Sequence, residues 1–172
     1  GEEEIGSEHL DNFVSEHKEL LRADLVMISD SDMFAKGVPS VCYGLRGLAY
    51  MEVEVTGPNG DLHSGSFGGS LHNPIQALTE IIASLHDKNG KITIPGFYDD
   101  VRPLKKAERN AFKKLPWNDR KYAKSLGLKD LYGEKGFTTL ERLWARPTLE
   151  CNGIWGGYTG EGAKTVLPSK AN

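Results

Sequence analysis

Carboxylates crowd the start of this chain. Glu2, Glu3 and Glu4 are consecutive, and Asp30 follows an apolar run at 23–28. Alone, three adjacent glutamates read first as solvated surface charge. In a low-dielectric site their repulsion would raise at least one pKa unless a cation compensated it. Asp30 adds weight to the second reading, because a carboxylate at the end of a buried strand needs a partner more than a surface one does. Two acidic positions point to a divalent cation. Oxygen donors alone suit Mg, Ca or Mn, whereas Zn also takes His nitrogens, and none of the five histidines lies beside these carboxylates in sequence.

His63 stands apart from the other histidines. It lies in a glycine-rich stretch, 61–69, with Asp61 two positions before it and Ser64 directly after, where backbone can approach a ligand closely. A catalytic Asp-His-Ser set is a poor fit, since triads are assembled from distant segments rather than from neighbours in one loop. His9 and His17 fall in a first helix and His72 and His86 at the ends of a second, places that suit surface or capping roles. The glycines of 156–160 lack the Gly-Lys-Ser/Thr ending of a phosphate loop.

These residues need elements to position them. Ser7 is placed to cap a helix carrying Leu10, Phe13, Val14, His17, Leu20 and Leu21 at helical spacing. The run 23–28 reads as a buried parallel strand with carboxylates at its C-terminal end, where open α/β sheets place ligands. Ala49, Met51, Val53 and Val55 alternate with polar residues, the pattern of a half-buried antiparallel strand. Asn73 and Pro74 predict a helix start, with Ile75, Leu78, Ile81, Ile82 and Leu85 on its apolar face and Gly90 ending it. A short strand is expected at 91–94. Helices are expected over 103–115, 118–126 and 138–145, the last opened by a capping box of Thr138 and Glu141. Residues 148–155 resume a strand-like pattern, and Thr165 to Pro168 begin another strand. The class is α+β: a small antiparallel sheet with helices on one face.

Composition sets the outer bounds. The chain has 172 residues, 38% hydrophobic and 26% charged, as in ordinary globular proteins. A net charge of -3 gives no basic field for a phosphate backbone, so nucleic acid is not an expected partner. Cys42 and Cys151 are too few for a disulfide scaffold and are expected to be reduced core thiols in a cytoplasmic protein. No apolar run reaches the roughly 20 residues that cross a bilayer, so no membrane partner is expected.

As an ordered set, Gly1-Glu2-Glu3-Glu4-Ile5-Gly6-Ser7, Ile28-Ser29-Asp30, Tyr43-Gly44-Leu45-Arg46-Gly47, Asp61-Leu62-His63-Ser64-Gly65 and Gly162-Ala163-Lys164-Thr165-Val166-Leu167-Pro168 resemble the carnosinase-like di-zinc dipeptidases, relatives of aminoacylase, carboxypeptidase G and acetylornithine deacetylase. The resemblance implies the central part of a larger metallopeptidase. Residues 1–44 would be a partial α/β catalytic domain. Residues 45–172 would be a ferredoxin-like lid or dimerisation domain, truncated at its C-terminus, with a helical insertion at about 97–147. Glu3 would be the general base, Glu4 a ligand of one zinc and Asp30 a ligand of the other, with Mn or Co as possible replacements. His63 would stabilise the oxyanion in a partner subunit's site across a homodimer interface, and Thr165 would contact substrate there. The substrate would be a dipeptide or short peptide. The family's other metal ligands have no counterpart in these 172 residues, so the isolated chain is expected to bind metal poorly and not turn over. Two alternatives stay open, a deacylase of N-acyl amino acids and a noncatalytic dimerisation module.

Overall fold

A computed structural model of the chain describes residues 2–28 and 33–172. It contains two compact units, Gly1–Gly44 and Leu45–Asn172.

In the first unit a 3-10 turn, Glu3–Ile5, precedes helix α1, Leu10–Glu16. Ser7 does not cap α1 through its side chain. It sits at φ 50, and its carbonyl accepts from Leu10 N–H at 3.0 Å. Glu2 takes the acceptor role instead, its carboxylate receiving His9 N–H at 3.3 Å and His9 Nδ1 at 2.7 Å. His17 ends the helix, stacked on Phe13 with ring centroids 4.4 Å apart. The expected buried strand at 23–28 is absent. Leu25 is 82% and Ile28 84% exposed, because a strand is buried only when neighbouring strands and a covering layer enclose it, and no described residue pairs with this run. Asp30 lies outside the described residues.

The second unit holds four two-residue strands in two antiparallel ribbons instead of one sheet. Strand β1, Val55–Thr56, pairs with β4, Lys170–Ala171, in the register Val55↔Ala171 and Thr56↔Lys170. Strand β2, Leu62–His63, pairs with β3, Val166–Leu167, in the register Leu62↔Leu167 and His63↔Val166. The alternation from 49 to 54 forms no ladder and Met51 is 89% exposed, since β4 offers ladder partners only to Val55 and Thr56. The pattern at 148–155 is likewise unpaired until Trp155, which exchanges two 2.8 Å backbone hydrogen bonds with Asn172.

Helix α2, Ser64–Phe67, follows β2 directly, and α3, Pro74–Ser84, packs on β1 and β4. Asn73 caps α3 as the sequence predicts, its side chain accepting from Ile75 N–H at 2.9 Å with Pro74 in the first turn. Pro74, Leu78 and Ala171 are buried there. Gly57 admits the contact: a Cβ at that position would come within 2.6 Å of Pro74 Cγ. The helix stops before Gly90 because Thr93 takes its terminal carbonyls, Thr93 Oγ1 donating to Ser84 O and Thr93 N–H to Leu85 O. Gly90, at φ 72, serves a separate turn. Asp87 organises that turn by accepting from the N–H groups of Lys91 and Asn89, and these bonds hold its carboxyl below the usual range. The expected strand at 91–94 is reduced to one bridge, His86↔Ile92.

Helices α4, Lys106–Lys113, α5, Asp119–Ser125, and α6, Thr139–Trp144, occupy the three expected insertion segments. The capping box of Thr138 and Glu141 is complete. Leu140, Ala123, Thr139 and Glu141 are buried, and Phe112 meets Trp144 edge-on at 5.3 Å. Arg109 reaches Glu141 through two donors, at 2.6 and 3.1 Å. Burial pushes the Glu141 carboxyl up, but the bonds from Arg109 and from Thr138 N–H outweigh it and leave the group below its ordinary value. Arg146 pairs with Glu134 at 2.8 Å and lies 4.2 Å over the Phe137 ring.

Cys42 and Cys151 are both free and exposed, not core thiols. Each sulfur lies 3.3 Å from the carbonyl oxygen two residues on, Gly44 O and Gly153 O, and both segments lack covering structure.

Candidate functional site

The ribbon of β2 and β3 builds the site. Its ladder sets His63 opposite Val166, and Ser64 N–H continues the pairing to Thr165 O at 3.1 Å. This register carries the exposed side chains of His63 and Thr165 to the same place, with His63 Nε2 3.0 Å from Thr165 Oγ1. The two residues lie 102 positions apart in sequence. Their approach depends on strand pairing, not on local spacing.

The other edge of the imidazole is also engaged. Gly65 N–H donates to His63 Nδ1 at 3.1 Å, so Nδ1 is the acceptor nitrogen. A neutral ring then carries its proton on Nε2, and His63 donates to Thr165 Oγ1. An exposed, oriented N–H donor of this kind can serve a carbonyl or oxyanion oxygen.

Two further contacts fix the returning strand. Asp61 Oδ1 accepts Ser169 N–H at 2.8 Å, and Gly57 N–H donates to Ser169 O at 2.8 Å. Asp61 is thus a clamp between the ribbons and not a triad partner of His63. Lys170 Nζ meets both carboxylate oxygens of Glu54 at 2.9 and 3.0 Å, and that bond holds Glu54 below its ordinary value. In the sequence Asp61 stands out only beside His63. Its place just after the turn at 56–60, where an Asx side chain often binds backbone N–H, was the available signal. Nothing in the spacing of Gly65 announces its bond to Nδ1.

Glu3 and Glu4 sit side by side on the exposed 3-10 turn of the first unit. Among the described residues no three His, Cys, Asp or Glu side chains converge to hold a metal ion. Catalytic zinc takes three protein ligands, so the described donors do not by themselves fit such a centre. The remaining histidines have local partners. His72 Nε2 lies 3.4 Å from Glu80, and His86 joins the bridge to Ile92. Among the described residues no helix is long and apolar enough to cross a membrane.

A dipeptidase of Schizosaccharomyces pombe, Cys-Gly metallodipeptidase dug1, is 38% identical over 99% of this chain and 36% of its own length. The human Beta-Ala-His dipeptidase is 36% identical over 99% of this chain and 34% of its own. The chain therefore spans about a third of the length of these curated relatives. The crystal structure of the M20 family metallo-carboxypeptidase Sso-CP2 from Sulfolobus solfataricus superposes with a TM-score of 0.77 at 40% identity, covering 99% of this chain and 39% of that one. Residues 43–172, which contain both ribbons and the His63–Thr165 pair, match the peptidase dimerisation domain of the M20 peptidases, and the chain belongs to that family, with carnosinase-like dipeptidases among its relatives.

Proposed function

We propose that this chain is part of a metal-dependent dipeptidase acting on dipeptides or short peptides, and that His63 donates a hydrogen bond to the substrate oxygen that gains charge during attack. The observation that carries the reading is the exposed imidazole of His63, its Nδ1 facing Gly65 N–H at 3.1 Å and its Nε2 lying 3.0 Å from Thr165 Oγ1, within a peptidase dimerisation domain. A donor already oriented toward a developing oxyanion lowers the barrier without reorganising at the moment of reaction.

In this reading residues 1–44 belong to a catalytic domain and 45–172 to a lid that pairs with a second copy. His63 and Thr165 act across the pair, with Thr165 contacting substrate. Glu3 takes the proton of the attacking water and passes it to the leaving amine. Glu4 and Asp30 would each hold a zinc ion through a carboxylate oxygen, with Mn or Co as alternatives, and the metal would supply an activated water. The names of the relatives, a metallodipeptidase and a metallo-carboxypeptidase, support the metal. Zinc needs further donors than these two carboxylates. The place of action is the cytoplasm.

The test is substrate profiling of a protein of the relatives' length that contains this chain, with and without chelator. Chelator-sensitive cleavage of dipeptides with free amino termini is expected. Preference for N-acyl amino acids would replace this reading by a deacylase. Metal-independent dimers that cleave neither substrate would leave only a dimerisation module.

A further inference from the structure

Two features of Gly65 bear on His63 independently. The first is its backbone N–H, which donates to His63 Nδ1 at 3.1 Å. The second is its missing side chain: a Cβ built on Gly65 would lie 2.9 Å from His63 Cε1 and 3.2 Å from Nδ1. The first distance is closer than carbon atoms pack without a shift. Gly65 is not at a positive φ, so its backbone conformation is open to any residue, and its lack of a Cβ is needed only for the imidazole.

We infer that Gly65 is a positioning residue for His63, which fixes the tautomer with the proton on Nε2 and seats the ring so that this proton points to Thr165 or to a substrate oxygen. The inference rests on the proposed role of His63 and extends it to the residue that makes Nε2 the donor. An imidazole free to choose would divide its proton between the two nitrogens and offer a substrate oxygen an acceptor nitrogen part of the time. Gly65 N–H removes that choice, because a donor facing Nδ1 leaves room for a proton only on Nε2. Thr165 has no such power. Its hydroxyl can donate or accept, so it adapts to whichever tautomer Gly65 imposes. It gives the Nε2 proton a resting partner that a substrate oxygen can replace.

The test is nitrogen NMR on the full chain with labelled histidine and backbone, at about pH 8, above the ordinary histidine range near 6.5. In the unmodified chain, Nε2 of His63 should resonate as a protonated nitrogen and Nδ1 as a bare one, with a coupling across the hydrogen bond between the Gly65 amide nitrogen and Nδ1. Thr165→Val should leave this pattern in place, as should Ser66→Ala on the same short helix. Gly65→Ala should abolish the coupling and mix the two nitrogen signatures, while amides outside the two ribbons keep their shifts. A Nδ1-protonated ring in the unmodified chain would overturn the inference whether or not Gly65→Ala folds. So would an unchanged pattern in Gly65→Ala, or a tautomer that switches in Thr165→Val. Failure of the dipeptidase reading is seen separately, as absent dipeptide cleavage with these nitrogen signatures intact.

Discussion

His63 and Thr165, 102 residues apart, are joined by a 3.0 Å contact between Nε2 and Oγ1 across the ribbon of β2 and β3. The contact is exposed, so its energetic value is small. Thr165→Val should cost the chain no more than about 1 kcal/mol in urea unfolding, the net worth of a single hydrogen bond. A much larger loss would mean that Thr165 holds the ribbon together and does more than partner His63.

Glu141 is the fully buried carboxylate of the helical insertion, with 0% of its side chain exposed. Arg109→Gln should destabilise the chain by roughly 3 kcal/mol, because it leaves the buried Glu141 carboxylate without its charge partner. Glu141→Gln should cost less, because the Arg109 it leaves behind is part-exposed and can turn to water, and Gln can still close the capping box of α6. Equal losses in denaturant unfolding would contradict this asymmetry.

The same carboxylate gives a pH dependence of known sign. Its folded pKa lies below its ordinary value of 4.5. Its contribution to stability is therefore present above that value and lost as pH falls through the folded value. Unfolding free energy of the parent chain should fall on acidification below about pH 4.5, and the part of that fall due to Glu141 should vanish in Glu141→Gln. Identical acid profiles would remove Glu141 from the account.

The contact between Gly57 and Pro74 sets how closely α3 approaches β1. Gly57→Ala places a methyl 2.6 Å from Pro74 Cγ, and should cost about 1 to 3 kcal/mol by overpacking. Asn73→Ala, which removes the α3 cap, should cost about 1 kcal/mol. Thermal unfolding of both variants orders the two effects.

Local chemistry was the legible part of this sequence. Asn73-Pro74 and the pair Thr138 and Glu141 mark helix starts through bonds that span only a few residues, and both caps form as read. What could not be read locally was pairing. The alternation at 49–55 predicts a strand, but only Val55 and Thr56 meet partners, because those partners lie at 170–171. The apolar run at 23–28 carries strand composition with no ladder among the described residues, and composition cannot announce that. The same limit applies to the site. His63 was singled out by its glycine-rich surroundings, and Thr165 by resemblance. The hydrogen bond between them, the clamp from Asp61 to Ser169, and the reach of Arg109 to Glu141 are products of the fold.

The measurement that bears most directly on the central claim is steady-state kinetics with metal analysis on His63→Ala, in a protein of the relatives' length that contains this chain. Turnover of dipeptides should fall by about 100-fold, the size expected for one lost oxyanion donor, with metal content and dimerisation unchanged. Turnover equal to that of the unmodified protein, or a loss of bound metal on removing His63, would contradict the account.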